Sequence, residues 1–146
     1  MTLYEHVVEL CGEAGIKNFS KGVDTKSIKV ICTLGQGAYA KVYLVEKMDE
    51  NGGSKFLAMK VLDKRDLQKR DIFNYIKLER KLLSELSHPF ILKLHYSFQC
   101  STKLYLLLEY EGGGTLFYHL EKKRRFTESE IVFYAAEMVL AIGYLH

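Results

Sequence analysis

Two glycines, a lysine and a glutamate are the residues of this sequence whose types and order could do chemistry. Gly35 and Gly37 sit in LGQGAYAKV (34–42), between two apolar runs; Lys60 sits in KFLAMKVL (55–62), and Glu79 in YIKLERKLL. Glycine has no Cβ, so backbone N–H groups beside it can approach the oxygens of a delocalised anion such as a phosphate. Taken alone, Gly-x-Gly between strands fits a plain hairpin turn as well as a phosphate loop. Ala40 also stands where such loops commonly place a third glycine.

The two charged residues sharpen the reading. Alternation along the strand places Lys60 on the face that carries Phe56, Ala58 and Leu62, an apolar layer rather than a solvated one. Glu79 continues the helical stripe Ile72, Ile76, Leu83, Leu86, so its carboxylate also points inward. Either charge buried alone would be strongly unfavourable. Together they form an expected ion pair, and removing one partner of a buried pair typically costs roughly 3–5 kcal/mol. A plain stabilising salt bridge is one explanation. The other is a lysine held by a carboxylate so that it meets the α- and β-phosphates of a nucleotide, and the order glycine loop, strand lysine, helix glutamate favours that one.

The elements that must position these residues are legible as changes of period. Residues 1–26 are expected to be a leader with a short helix, Leu3 to Cys11, followed by a glycine- and lysine-rich stretch that can pack on the domain. Ile28, Val30, Cys32 and Leu34 alternate along one strand, and Val42, Leu44 and Glu46 define a face of a second. The turn DENGGS (49–54) leads into the strand that carries Lys60. A helical stretch then ends before Pro89. Two strands follow, ILKLHYSFQ (91–99) and KLYLLLEY (103–110), then the break EGGG (111–114), a helix from about Thr115 to Lys123, and a last helix. Thr127 and Glu130 in TESE have the spacing of a capping box at the start of that last helix.

Bulk composition fits an ordered globular chain: 146 residues, 48% hydrophobic, 27% charged and a single proline. The net charge of +3 gives no ground for nucleic-acid binding, and the basic clusters at 64–70 and 121–125 read as solvated helix faces without an interleaved aromatic platform. No apolar stretch approaches the roughly 20 residues that span a membrane. Cys11, Cys32 and Cys100 lack any Cys-x-x-Cys pattern and are expected to be free thiols in a reducing compartment, the cytoplasm or nucleus.

In order, these motifs resemble the amino-terminal lobe of a eukaryotic protein kinase, and within that superfamily the AGC group of serine/threonine kinases. LGQGAYAKVYLV resembles the glycine-rich loop, FLAMKVL the strand with the ATP-anchoring lysine, and KLERKLLSELSHPFILKLHYSFQ the family's helix αC running into its fourth strand. KLYLLLEYEGGGTLFYHL resembles the fifth strand, the hinge and helix αD, and RFTESEIVFYAAEMVLAIGYLH resembles helix αE. The resemblance covers residues 27–146 and implies an α+β fold: a five-stranded antiparallel sheet with αC in a lobe over 27–110, then hinge, αD and αE over 111–146 as the start of an incomplete large lobe. NYIKLER is similar to the phosphoinositide-dependent kinase branch, the remainder to the ribosomal S6 kinase branches.

The resemblance implies ATP and Mg2+ as cofactors and a protein serine or threonine as substrate. Lys60 and Glu79 would be the catalytic pair of this half. The loop Gly35, Gln36, Gly37, Ala38, Tyr39 and Ala40 would cover the phosphates. Leu34, Val42 and Ala58 would sandwich the adenine with Leu108 behind it, and the backbones of Glu109 and Glu111 would bind its edge. Leu83 and Leu94 resemble the two small-lobe members of the family's stacked apolar spine. Two departures matter. Thr115 stands where the group usually has an acidic residue, and Tyr75 where many members have a histidine that reads the activation loop. Magnesium is held in this family by residues of the catalytic and DFG loops. No His-Arg-Asp or Asp-Phe-Gly run occurs in the sequence, so no metal ligand is expected in these residues and the chain alone is expected to be inactive. The alternative is a non-catalytic nucleotide- or partner-binding module. Ile131, Tyr134, Ala135, Met138, Val139, Ile142 and Leu145 would give the last helix a broad apolar surface open to self-association or a partner.

Overall fold

The computed structural model describes residues 1–11, 17–18, 24–49 and 51–146. Most of the glycine- and lysine-rich part of the expected leader, 12–16 and 19–23, and Glu50 in the expected hairpin turn lie outside the described residues. In chain order the elements are α1 (Leu3–Cys11), β1 (Lys17–Asn18), a 3-10 turn (Thr25–Ser27), β2 (Ile28–Gln36), β3 (Ala40–Met48), β4 (Ser54–Asp63), α2 (Lys64–Lys69), α3 (Phe73–Glu85), β5 (Leu94–Gln99), β6 (Lys103–Glu109), α4 (Leu116–Lys123) and α5 (Glu128–Leu145). The chain divides into two units, Met1–Glu85 with Lys93–Tyr110, and Leu86–Leu92 with Glu111–His146.

The first unit is built on an antiparallel sheet in the order β1-β5-β6-β4-β3-β2. Its five long strands are those expected, and the two-residue β1 adds a sixth segment beside β5. Both faces are covered. On one, Leu57, Met59 and Val61 of β4 pack with Val45, Phe98, Tyr105 and Leu107 against Leu3 and Val7 of α1. On the other, Leu62 of β4 and Leu104, Leu106 and Leu108 of β6 pack against Leu67 of α2 and Ile76 of α3. That double covering explains why β6 reads as an unbroken apolar run: every residue from Leu104 to Leu108 is buried, whichever way it points. Burying one such side chain fully stabilises by roughly 1.5–3 kcal/mol.

Local chemistry sets the element ends. Asp63 caps α2 by accepting from the Arg65 N–H at 2.8 Å. Asp71, with φ 55, adopts the left-handed region that separates α2 from α3. Strand β5 starts at Leu94, three residues later than its sequence suggests, because Ile91 turns back to donate to the His88 carbonyl at 3.1 Å. The basic run 64–70 is mostly solvated, yet Leu67 inside it is fully buried and anchors α2 to the sheet.

Two expectations fail. The alternation Ile28, Val30, Cys32, Leu34 does not run along one face, because β2 is bulged between Val30 and Cys32 and again between Thr33 and Gly35. Each bulge inserts an unpaired residue and turns the strand over, leaving Ile31 and Leu34 exposed. The cysteines are not all free thiols either. Cys32 is free and exposed, whereas Cys100, buried at the end of β5, is disulfide-bonded. Spacing along a chain says nothing about which sulfurs a fold brings together.

The second unit holds α4 and α5. Thr115 caps α4 through its Oγ1, which accepts from the Tyr118 N–H at 3.1 Å, after Gly114 at φ 82. The capping box of α5 is present: Thr127 Oγ1 accepts from the Glu130 N–H at 3.4 Å and a Glu130 carboxylate oxygen accepts from the Thr127 N–H at 3.0 Å. The Lys123 ammonium, foremost, and the Thr127 N–H hold the Glu130 carboxyl down to about 2. Tyr144 ties α5 to the segment before β5, accepting from the Ser87 N–H at 3.3 Å and stacking on His88. No helix among the described residues is long and apolar enough to cross a membrane.

Candidate functional site

The register of the first sheet assembles the site. Antiparallel partners share a face, so Val42 opposite Lys60, and Lys60 opposite Leu106, form one row. Leu44 opposite Ala58, and Ala58 opposite Leu108, form the next. The second bulge of β2 then sets Gly35 across from Val42. One sheet face thus carries, within two rows, a glycine, a valine, an alanine, a lysine and a leucine expected in the site. Leu44 and Leu106 share that face and were not singled out from the sequence, although the alternation of Val42 and Leu44 carried the signal.

Lys60 Nζ donates to Glu79 Oε1 at 3.2 Å. The pairing is as expected, but its burial is not: the side chains are 22% and 39% exposed. The apolar layer does not extend along the whole of β4. Phe56, on the same face, is 49% exposed, because α2 and α3 cover the end of the sheet near Leu62 and leave the other end open. The cost expected for breaking a buried pair therefore does not apply, and a half-open pair of this kind is worth about 0–1 kcal/mol. An ammonium has three donors and Glu79 occupies one. The lysine is oriented rather than neutralised.

In the loop, Gly37 N–H donates to the Ala40 carbonyl at 2.8 Å and closes the hairpin. Its amide is therefore already engaged, while the N–H groups of Ala38 and Tyr39 make no hydrogen bond among the described residues. A Cβ built on Gly35 would meet nothing within 4 Å, so packing does not explain that glycine, and the space over it suits an approaching phosphate. Gln36 ends β2 and is exposed like Leu34, Ala38 and Tyr39. Ala40, paired with Leu62, packs against the Leu62–Leu108 cluster. Its methyl, partly buried, packs on that cluster, so a side chain is accommodated at that position.

At the far end of β6, the Glu109 N–H donates to the Lys93 carbonyl at 2.9 Å, and its carboxylate lies 3.8 Å from Lys55 Nζ. Glu111 belongs to the second unit and is exposed. Leu83 and Leu94 both pack on the Leu62–Leu108 cluster. Tyr75 is 71% exposed. The second unit has a hollow of about 570 Å3, walled by Phe90, Leu116, Tyr134, Met138 and Ile142. It is predominantly apolar and holds no lysine or arginine to meet a phosphate.

A strand lysine oriented by a helix glutamate beside a glycine hairpin is the arrangement the sequence motifs imply, and comparison with known proteins gives the family. The protein kinase domain model matches residues 28–146. The chain is 44% identical over 131 residues to ribosomal protein S6 kinase alpha-2 of Homo sapiens, covering 90% of this chain and 18% of that protein. It is 42% identical over 131 residues to ribosomal protein S6 kinase 2 alpha of Gallus gallus, covering 90% of this chain and 17% of that protein. The chain therefore spans less than a fifth of the length of these relatives. With its family model matched across both units, the chain belongs to the protein kinase domain family.

Proposed function

We propose that this chain supplies the ATP-binding part of a serine/threonine protein kinase, with the nucleotide on the sheet face that carries Lys60. Residues 27–110 form the ATP-binding lobe and 111–146 the hinge and the start of the large lobe. In this reading Leu34, Val42 and Ala58 flank the adenine, Leu108 closes the back, and the backbones of Glu109 and Glu111 bind its edge. Gln36 and Tyr39 ride on the loop that covers the phosphates, and the Ala38 and Tyr39 N–H groups are its spare donors. Lys60, held by Glu79, meets the phosphates.

Bound Mg2+ would neutralise phosphate charge, and its ligands would come from residues outside these 146. The same holds for the aspartate that orients a substrate hydroxyl, so these residues alone bind nucleotide without transferring its γ-phosphoryl group. The substrate is a protein serine or threonine, as the resemblance to the AGC group implies, and the compartment is cytoplasmic or nuclear. The exposed apolar side chains of α5, Ile131, Met138, Val139, Ile142 and Leu145 among them, are the surface against which further protein packs.

The observation that carries the proposal is the Lys60–Glu79 contact on the face shared by Val42 and Ala58. Comparing Mg-ATP with adenosine tests it. Lys60→Ala is expected to weaken ATP binding about tenfold to hundredfold, the loss of a charge-assisted hydrogen bond worth roughly 1.5–3 kcal/mol, and to leave adenosine binding unchanged. Equal ATP affinity in the two proteins would remove Lys60 from the phosphate site.

A further inference from the structure

Helix α1 is not a loose leader. Thr2 and Glu5 form a capping box at its start, with Thr2 N–H donating to the Glu5 carboxylate at 2.8 Å and Glu5 N–H to Thr2 Oγ1 at 3.2 Å. Leu3, His6 and Val7 occupy one helical face and are 0%, 7% and 1% exposed against the sheet. The chain before the helix clasps β2: Thr2 bridges Lys29, and the Val30 N–H donates to the Met1 carbonyl at 3.0 Å. Strand β2 runs on from there directly into the glycine loop, so α1 grips the base of that hairpin.

One polar residue interrupts this interface. The His6 ring meets Tyr43 of β3 edge-on, with centroids 5.2 Å apart. Its Nε2 is buried without a hydrogen-bond partner among the described residues, and so is the Tyr105 hydroxyl of β6 in the same packed layer. A neutral imidazole loses little by this, but an imidazolium has two N–H donors and a charge, and no described residue accepts from Nε2. We propose that α1 is a proton-released clasp, docked on the sheet while His6 is neutral and set free when His6 takes up a proton.

The groups around His6 fit this. Glu9, on its own helix, favours the imidazolium; Lys41 of β3 opposes it. The Tyr43 ring faces His6 edge-on, and the Tyr105 phenol, pushed up to about 12 by burial, stays neutral across this range. Lys26, beside the helix, lies over the Tyr4 ring at 5.4 Å, and Lys29 of β2 pairs through its backbone with Thr2. Burial outweighs Glu9, and His6 sits below its ordinary 6.5. Because the docked state binds the proton less readily than the free helix, docking is undiminished above about pH 6.5 and weakens below it, by at most about tenfold per pH unit, until the docked pKa is passed.

The test is hydrogen exchange at the Val30 amide of the 146-residue chain between pH 7.5 and 5, corrected for intrinsic exchange, with an NMR titration of His6. The expected result is a His6 titration below 6.5 and a Val30 protection that falls by up to tenfold per unit below it, whereas His6→Phe shows flat protection. A His6 titration at or above 6.5, flat protection in the wild type, or the same fall in His6→Phe would overturn the proposal. Should His6→Phe fail to fold, the wild-type titration and protection curves decide it alone.

Discussion

Strand β4 ends in two ion pairs, one on each face of the sheet, and they are held differently. Asp63 and Lys103 meet at 2.6 Å across the β4–β6 ladder. The Lys103 hydrogen bond, against the opposing effect of burial, keeps the Asp63 carboxyl below the usual carboxylate range, and that carboxylate also caps α2. Lys60 and Glu79 meet at 3.2 Å on the other face, with Glu79 39% exposed and two lysine donors uncommitted to it. The first pair closes a joint between a strand and a helix. The second presents an oriented cation on an open surface. Burial alone does not separate a structural pair from a site; what distinguishes them is that Asp63 is also committed to the cap of α2, whereas Glu79 makes no hydrogen bond besides that to Lys60 among the described residues.

Four perturbations would break or sharpen that contrast. Met59, fully buried on the face covered by α1, is the most sensitive: Met59→Ala is expected to cost about 2–5 kcal/mol in urea unfolding. Asp63→Ala removes a cap and a pair together and is expected to cost about 1–2 kcal/mol by the same measurement. Its pH dependence has a definite sign. Because the folded Asp63 pKa lies below 3.8, the stabilisation is complete above pH 3.8 and is lost as pH falls through the lowered value; a stability that rose on acidification would contradict the assignment. Glu79→Gln, on the open face, is expected to change stability by no more than about 1 kcal/mol while weakening Mg-ATP severalfold, read by calorimetric titration. Thr115→Ala is the smallest, about 0.5–1 kcal/mol confined to α4, visible as faster amide exchange at Tyr118 with nucleotide affinity unchanged.

Much of this is legible in the sequence. Strand alternation put Lys60, Ala58 and Leu62 on one face, helical spacing put Glu79 under it, and Thr127 with Glu130 announced the start of α5. What the sequence hid has physical causes. Bulges leave no mark in a periodicity of two, so the turnover of β2 that places Gly35 across from Val42 could not be counted out. Burial depends on where covering helices end, so the openness near Phe56 and the half-exposure of the Lys60 pair were invisible. The role of α1 was hidden as well, because nine residues with an apolar stripe do not say which surface they will find. Ala40 shows the reverse case: a residue that looks like a missing glycine carries a partly buried methyl packed on the core.

The most direct test of the division between the two faces is calorimetric titration of Mg-ATP into the wild-type, Lys60→Ala and Asp63→Ala chains. Lys60→Ala should lose about tenfold or more in affinity, and Asp63→Ala should bind as the wild type does despite its lower stability. Equal losses in both variants, or no loss in Lys60→Ala, would contradict the assignment of one pair to the nucleotide and the other to the fold.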